Sequence, residues 1–416
     1  MPRWLLLSLL LLLLAGNGPA LAQGAALEPT VEADFPVSIT FHLRARAPAE
    51  ITRVVLSIWV DRISPFEEVL ERHPSFTPGK EVEASWTWDM RKVGGLPPGT
   101  GLSYSWTVQD ASGMKQQTER ASFPFEDQRF RWRLLEADKV KLFWYQGDEA
   151  FARQLLQAAQ EALGKLRKDT GAELGREVAI YIYNGTQALQ DARIFPQVWE
   201  GGVAFPEYGI VAIGIAPGNL AWGKRAIAHE LAHQVSYQVT YSPYSDLPIW
   251  LDEGLSMYAE GEPLPEQALS LASAAEEGRL FSVRSLASAF PADPSLARLA
   301  YAQSNSLVEF LLKSRSRDSM MAFLQAFRDG LAYEEALKGV YGLDVEGLDR
   351  AWREHLRAAT TAPAPATAPA PAPTLQPRPV PGLVSCQAGP RPDIDLGSLL
   401  GLLLGPALVF RRQRNI

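Results

Sequence analysis

The run His229-Glu230-Leu231-Ala232-His233 sets two imidazoles four residues apart, inside a segment from Asn219 to Val239 that reads as a helix. Residues four apart share a helix face, so the two rings can converge on one cation. Glu230 stands about 100° around the axis from His229, within reach of a water on such an ion. Ile227, Ala228, Leu231, Ala232 and Val235 supply apolar flanks, and a dry surround strengthens the electrostatics of a bound cation. Fifteen residues past His233, the segment Pro248-Ile249-Trp250-Leu251-Asp252-Glu253-Gly254 opens a second helix that puts Glu253 twenty residues past it, with Ser245 or Asp246 as its cap and Pro248 in its first turn. Glu253 is then placed to come from a neighbouring antiparallel helix as a third ligand. Asp252, about 100° away, is free to accept a hydrogen bond from a ligand histidine or to charge the first turn. The plainer alternative makes His229 and His233 satisfied core histidines and Glu253 a carboxylate stabilised by the helix dipole.

Composition narrows the chemistry further. The chain has 416 residues, 47% hydrophobic and 21% charged, which suits two domains plus tails. Its net charge of -7 provides no broad basic surface, so nucleic acid is not an expected partner. A single cysteine, Cys386, excludes an intramolecular disulfide and a thiolate-rich metal site. Any metal must therefore use imidazole and carboxylate, and only five histidines exist: His42, His73, His229, His233 and His355.

The elements that position these groups read in two parts. From residue 28 to 126 the pattern is β. Val37, Ile39, Phe41, Leu43 and Ala45 alternate with Ser38, Thr40, His42 and Arg44, a half-buried strand with His42 on its polar face. Further strands are expected over Ile51 to Val60, Glu81 to Trp88 and Leu102 to Val108. Their turn chemistry and spacing predict an all-β sandwich of the immunoglobulin or fibronectin kind. From residue 130 to 359 the expectation is an α+β domain: strands at Val140 to Tyr145, Val178 to Tyr183, Gly202 to Phe205 and Gly209 to Ile215, a helix over Asp148 to Lys168, and helices from Asn219 to Ala359. Residues 360–381 are nearly all Ala, Pro and Thr, an extended spacer unable to bury a core.

Both ends carry address-like patterns. Residues 1–22 hold Arg3, an apolar run and the exit Ala20-Leu21-Ala22, the order of a secretory signal peptide. Within residues 396–414, an apolar run of about 15 residues precedes Arg411, Arg412 and Arg414. Such a run reaches roughly 22 Å against about 30 Å of hydrocarbon, a marginal span, and its trailing arginines put the body of the protein outside. The expectation is an exported protein held at the membrane or cell surface, by a retained anchor or a processed sorting signal.

HELAH followed by WLDEGLSMYAE resembles the gluzincin metallopeptidases, and more narrowly the bacterial peptidase MA-like domain, over roughly Phe130 to Arg357. The resemblance includes the Gly-rich segment Gly201 to Ile215 and Tyr301-Ala302-Gln303-Ser304. It implies a small sheet with a helical bundle, and one zinc per chain held by His229, His233 and Glu253. It also implies Glu230 as general base, a peptide or protein as substrate, and a strand before the zinc helix as one edge of the cleft. Related enzymes often add a Tyr or His that stabilises the oxyanion; Tyr301 is the candidate, with Tyr241 and Tyr244 competing.

Two functions of different class follow. One is a secreted, tethered zinc metallopeptidase; the other is a non-proteolytic binding or adhesion protein built on the same platform. Glu230 favours the enzyme, because a platform needs no base beside its metal. A structural zinc site is disfavoured, since it normally takes four protein ligands.

Overall fold

A computed structural model describes residues 25–64, 67–196 and 201–361. The segments 1–22 and 396–414, and nearly all of 360–381, lie outside the described residues. Among the described residues no helix is long and apolar enough to cross a membrane.

The N-terminal part is all-β and is hydrogen-bonded as one seven-stranded sheet. Its strands are β1 (Ala26–Asp34), β2 (Ser38–Val60), β3 (Val69–Arg72), β4 (Gly79–Asp89), β5 (Thr100–Asp110), β6 (Lys115–Gln117) and β7 (Ala121–Phe125). The two runs expected as separate strands are the two halves of β2. Its first half pairs antiparallel with β1 and β4, its second with β5 and β3, and the register shifts between Arg46 and Ile51. Pro48 lies in that interval; lacking an N–H, it interrupts a ladder where the strand changes partners. The alternation holds as expected, with Ile39, Phe41, Leu43 and Ala45 buried and Arg44 exposed.

The second part is a five-stranded sheet backed by helices. It comprises β8 (Arg133–Ala137), β9 (Val140–Trp144), α1 (Glu149–Thr170), β10 (Val178–Tyr183), α2 (Thr186–Gln190), β11 (Gly202–Phe205), β12 (Ile210–Gly214), α3 (Leu220–Thr240) and α4 (Ile249–Ala259). These are followed by α5 (Pro265–Glu276), α6 (Val283–Leu286), α7 (Pro294–Ser314), α8 (Arg317–Arg328), α9 (Tyr333–Tyr341) and α10 (Val345–Thr361). The sheet order is β11-β12-β10-β9-β8. The three central strands are parallel, α1 crossing over between β9 and β10 and the segment holding α2 and β11 lying between β10 and β12, while β8 and β11 are antiparallel edges.

This sheet is buried on both faces. On β10, Ile180 and Ile182 join the core under the helices, whereas Tyr181 and Tyr183 join the core shared with the N-terminal sheet. On β12, Val211 and Ile213 divide from Ile210 and Ala212 in the same way. Period-two side chains and double-sided burial explain why these strands read as continuous apolar runs. At the junction Asp127 is fully buried, paired to Arg129 at 2.6 Å and accepting from the Tyr183 hydroxyl at 3.2 Å. Trp132 stands edge-on to Tyr145, Tyr181 and Tyr183, with centroids 5.2 Å apart in each pair.

Helix α3 lies in the middle of the helical layer, packed on α1, α4 and α8. Helix α4 is crossed closely by α7 at Gly254, where a Cβ would come within 2.5 Å of the Ser304 carbonyl oxygen. Glycine is required there because no rotation of a side chain relieves a clash with backbone. The residue before it is Glu253.

Candidate metal centre

His229 and His233 project from α3 on the same side, with ring centroids 5.0 Å apart. Glu253, on the first turns of α4, brings Oε2 to 3.4 Å from His229 Nε2 and 3.7 Å from His233 Nε2. The three ligand atoms lie within 4.8 Å of one another. Tetrahedral zinc with bonds of about 2.0–2.2 Å needs neighbouring ligand atoms ~3.4 Å apart, so the spacing suits that ion. The donor set also fits, since Glu253 Oε2 is buried and has no hydrogen-bond partner. A buried carboxylate oxygen left without a donor costs free energy unless a cation completes it.

Each histidine is held from behind. His233 Nδ1 donates to Asp252 Oδ2 at 2.9 Å, and Ser256 Oγ lies 3.2 Å from the same nitrogen. His229 Nδ1 donates to Glu260 Oε1 at 2.8 Å. When each ring is neutral, a proton on Nδ1 leaves the Nε2 lone pair facing the point where the three groups meet. Burial pulls the pKa of His229 down, but the Glu253 and Glu260 carboxylates more than reverse this and hold it well above its ordinary value. Burial likewise lowers His233, and Asp252 and Glu253 push it up to about 9. The surrounding carboxylates thus favour positive charge at the point between the two rings.

Glu230, buried on α3, lies against the first residue of β11: a Cβ on Gly202 would stand 2.8 Å from Glu230 Oε1. The absent side chain leaves room for the motif carboxylate beside the edge of the sheet. Tyr301, on α7, is buried with its ring 6.4 Å from that of His229 and 5.1 Å from Phe290. Burial, followed by the charges of Glu253 and Glu230, raises its pKa well above the ordinary tyrosine value, so it keeps its proton. Of the competing tyrosines, Tyr241 caps the C-terminal end of α3 beside Tyr237, and Tyr244 is 88% exposed. His355 packs on Phe310, away from the cluster.

Two details depart from the sequence expectation. Neither Ser245 nor Asp246 caps α4. Pro248 is the cap residue and offers no side-chain bond, while Ser245 donates to the Leu331 carbonyl at 2.9 Å instead. A longer-range partner captures that hydroxyl, and the first turn is left to Pro248. Glu260 was not anticipated as a partner of His229. Its signal is the seven-residue step from Glu253, two turns along α4, which keeps both carboxylates on the face toward α3.

Residues 158–358 match the family model of the Peptidase MA superfamily. No curated protein matches the chain. Among solved structures, OgpA from Akkermansia muciniphila is 16% identical over 24% of this chain and 27% of its own, with a TM-score of 0.17. Aminopeptidase A of Legionella pneumophila, solved with aspartic acid, is 11% identical over 78% of this chain and 48% of its own, with a TM-score of 0.35. This chain therefore spans under half the length of either protein, and likenesses this slight carry no argument about activity.

Proposed function

We propose that this chain, whose residues 158–358 match the family model of the Peptidase MA superfamily, is a gluzincin-type zinc metallopeptidase acting on peptides or proteins outside the cytoplasm. The observation that carries the reading is the meeting of His229, His233 and Glu253, whose Oε2 has no other partner. These three residues would hold the ion and leave one coordination position open. Bound there, zinc supplies Lewis acidity, lowering the pKa of a water toward neutrality and polarising the scissile carbonyl.

The protein's own groups do the rest. Glu230 accepts the proton of the attacking water as its oxygen bonds to the carbonyl carbon, then gives that proton to the amine nitrogen as the C–N bond breaks. Tyr301, kept protonated by its surroundings, has a hydroxyl to donate to the developing oxyanion. Strand β11 is an edge of its sheet among the described strands, and backbone pairing along such an edge would align a substrate without demanding particular side chains.

Zinc is the direct test. Full-length protein reconstituted with the metal is expected to carry roughly one zinc per chain by elemental analysis, as three protein ligands imply, and to cleave members of a broad peptide library. A protein that takes up essentially none would sink the metal centre. One that binds zinc and cleaves nothing would turn the reading to the binding platform.

A smaller change probes the base without touching it. Gly202→Ala is expected to leave folding and zinc content intact, since the atoms it meets belong to the flexible end of Glu230. Displacing that carboxylate by about 1 Å should nonetheless lower kcat by roughly 10²-fold. Unchanged turnover would show that the base does not depend on the clearance beside β11.

The exported, tethered location is part of the proposal and rests on the terminal patterns. Deleting everything after Thr360 should release active protein into the medium. Full-length protein confined to the cytoplasm would contradict it.

A further inference from the structure

Arg225 stands one turn before His229 on α3, and its Nη2 lies 2.7 Å from Glu260 Oε2. The other oxygen of the same carboxylate, Oε1, accepts from His229 Nδ1 at 2.8 Å. Arg225 Nη1 also donates to the Glu262 carbonyl at 3.0 Å, which ties the guanidinium to the chain just past α4. The Glu260 side chain is 5% exposed and that of Arg225 23%, so the contact is largely withdrawn from water.

From this geometry, and resting on the zinc reading above, we infer that Arg225 is a positioning residue for the metal centre, acting on His229 through Glu260. A carboxylate with one oxygen in an ion pair with a guanidinium and the other hydrogen-bonded to an imidazole cannot rotate without losing both the ion pair and the hydrogen bond. Its acceptor oxygen therefore stays in line with Nδ1, the proton stays on Nδ1, and Nε2 keeps its lone pair toward Glu253. Arg225 and His229 are four apart on one helix face, so the orientation is set by two turns of α3 and the end of α4 together. The second histidine lacks such a brace. Its partner Asp252 has one oxygen on His233 and the other, Oδ1, buried without a partner. Arg225 also cancels one negative charge in a cluster that holds Glu230, Asp252, Glu253 and Glu260, which lowers the cost of packing four carboxylates around one cation.

The test is a double-mutant cycle on zinc affinity in the full-length protein, read by competition with a chromogenic chelator. Arg225→Gln should weaken zinc binding by about 10- to 100-fold, the range seen when outer partners of ligand histidines are removed. Glu260→Gln should cost a similar amount. The double variant should bind no more weakly than Glu260→Gln alone, because Arg225 acts only through that carboxylate. Arg225→Gln combined with Asp252→Asn should instead give the product of the two single losses. Unaltered zinc affinity in Arg225→Gln, or losses at Arg225 and Glu260 that multiply, would overturn the inference. Should Arg225→Gln not fold, Arg225→Lys in the wild-type and Glu260→Gln backgrounds carries the same comparison. A loss only in the first is expected, and equal losses in both overturn it. Wild-type protein that takes no zinc overturns the metal reading and this inference with it, whereas tight wild-type binding with an unaffected Arg225→Gln overturns this inference alone.

Discussion

Glu230→Gln is expected to fold, to bind zinc as the parent does, and to cleave peptides roughly 10²- to 10⁴-fold more slowly. The amide has the size of the carboxylate but cannot take the proton from the attacking water. Glu230 is buried between α3 and the Gly202 end of β11, where the isosteric change leaves packing intact. The loss should appear in kcat and in kcat/KM together, because the interaction removed belongs to the transition state and not to substrate binding. Measuring turnover and zinc content on the same preparation separates the two roles. A Gln variant that turns over at the parental rate would remove Glu230 as base.

Adjacent carboxylates on α4 should behave very differently. Glu253→Gln is expected to lose zinc affinity far beyond the 10- to 100-fold typical of an outer partner, while Asp252→Asn stays within that range. The reason is geometric: Glu253 Oε2 faces both Nε2 atoms at 3.4 and 3.7 Å, whereas Asp252 Oδ2 is spent on His233 Nδ1 at 2.9 Å. Asn at position 252 can still accept that hydrogen bond through its amide oxygen, so only the charge is lost. Gln at position 253 leaves two imidazoles and a neutral oxygen. Chelator competition on both variants decides it, and equal affinities would mean that α4 presents a different residue to the cation.

Local rules reached the centre of the site because its parts are short-range. The four-residue step between His229 and His233 needs only a helix, and α3 runs from Leu220 to Thr240, close to the range its pattern predicts. Strands β10 and β11 fall on the segments expected from their apolar runs. Asp252 as a hydrogen-bond acceptor for a motif histidine was legible as one of two roles, and the packing of α4 on α3 pairs it with His233. The wider architecture was less legible. Two strand patterns that alternate separately give no sign that they are one bent strand with partners on both sides, since period two is the same in either case. Strands β9 and β10 run parallel through the crossover of α1, β12 pairs parallel with β10 after α2 and β11, and a pattern of strands does not specify pairing direction.

By itself, then, the sequence determined which residue types stand at helical spacing and which faces are apolar, because both depend on backbone geometry within a few residues. It determined the histidine pair, the motif glutamate and the offer of Glu253. Only the tertiary structure decided that Gly254 lets α7 pack closely on α4, that the missing side chain of Gly202 makes room for Glu230, and that Arg225 and Glu260 stand behind His229. Those are contacts between elements separated by tens of residues, and their distances come from how helices and sheet pack, which no local periodicity encodes.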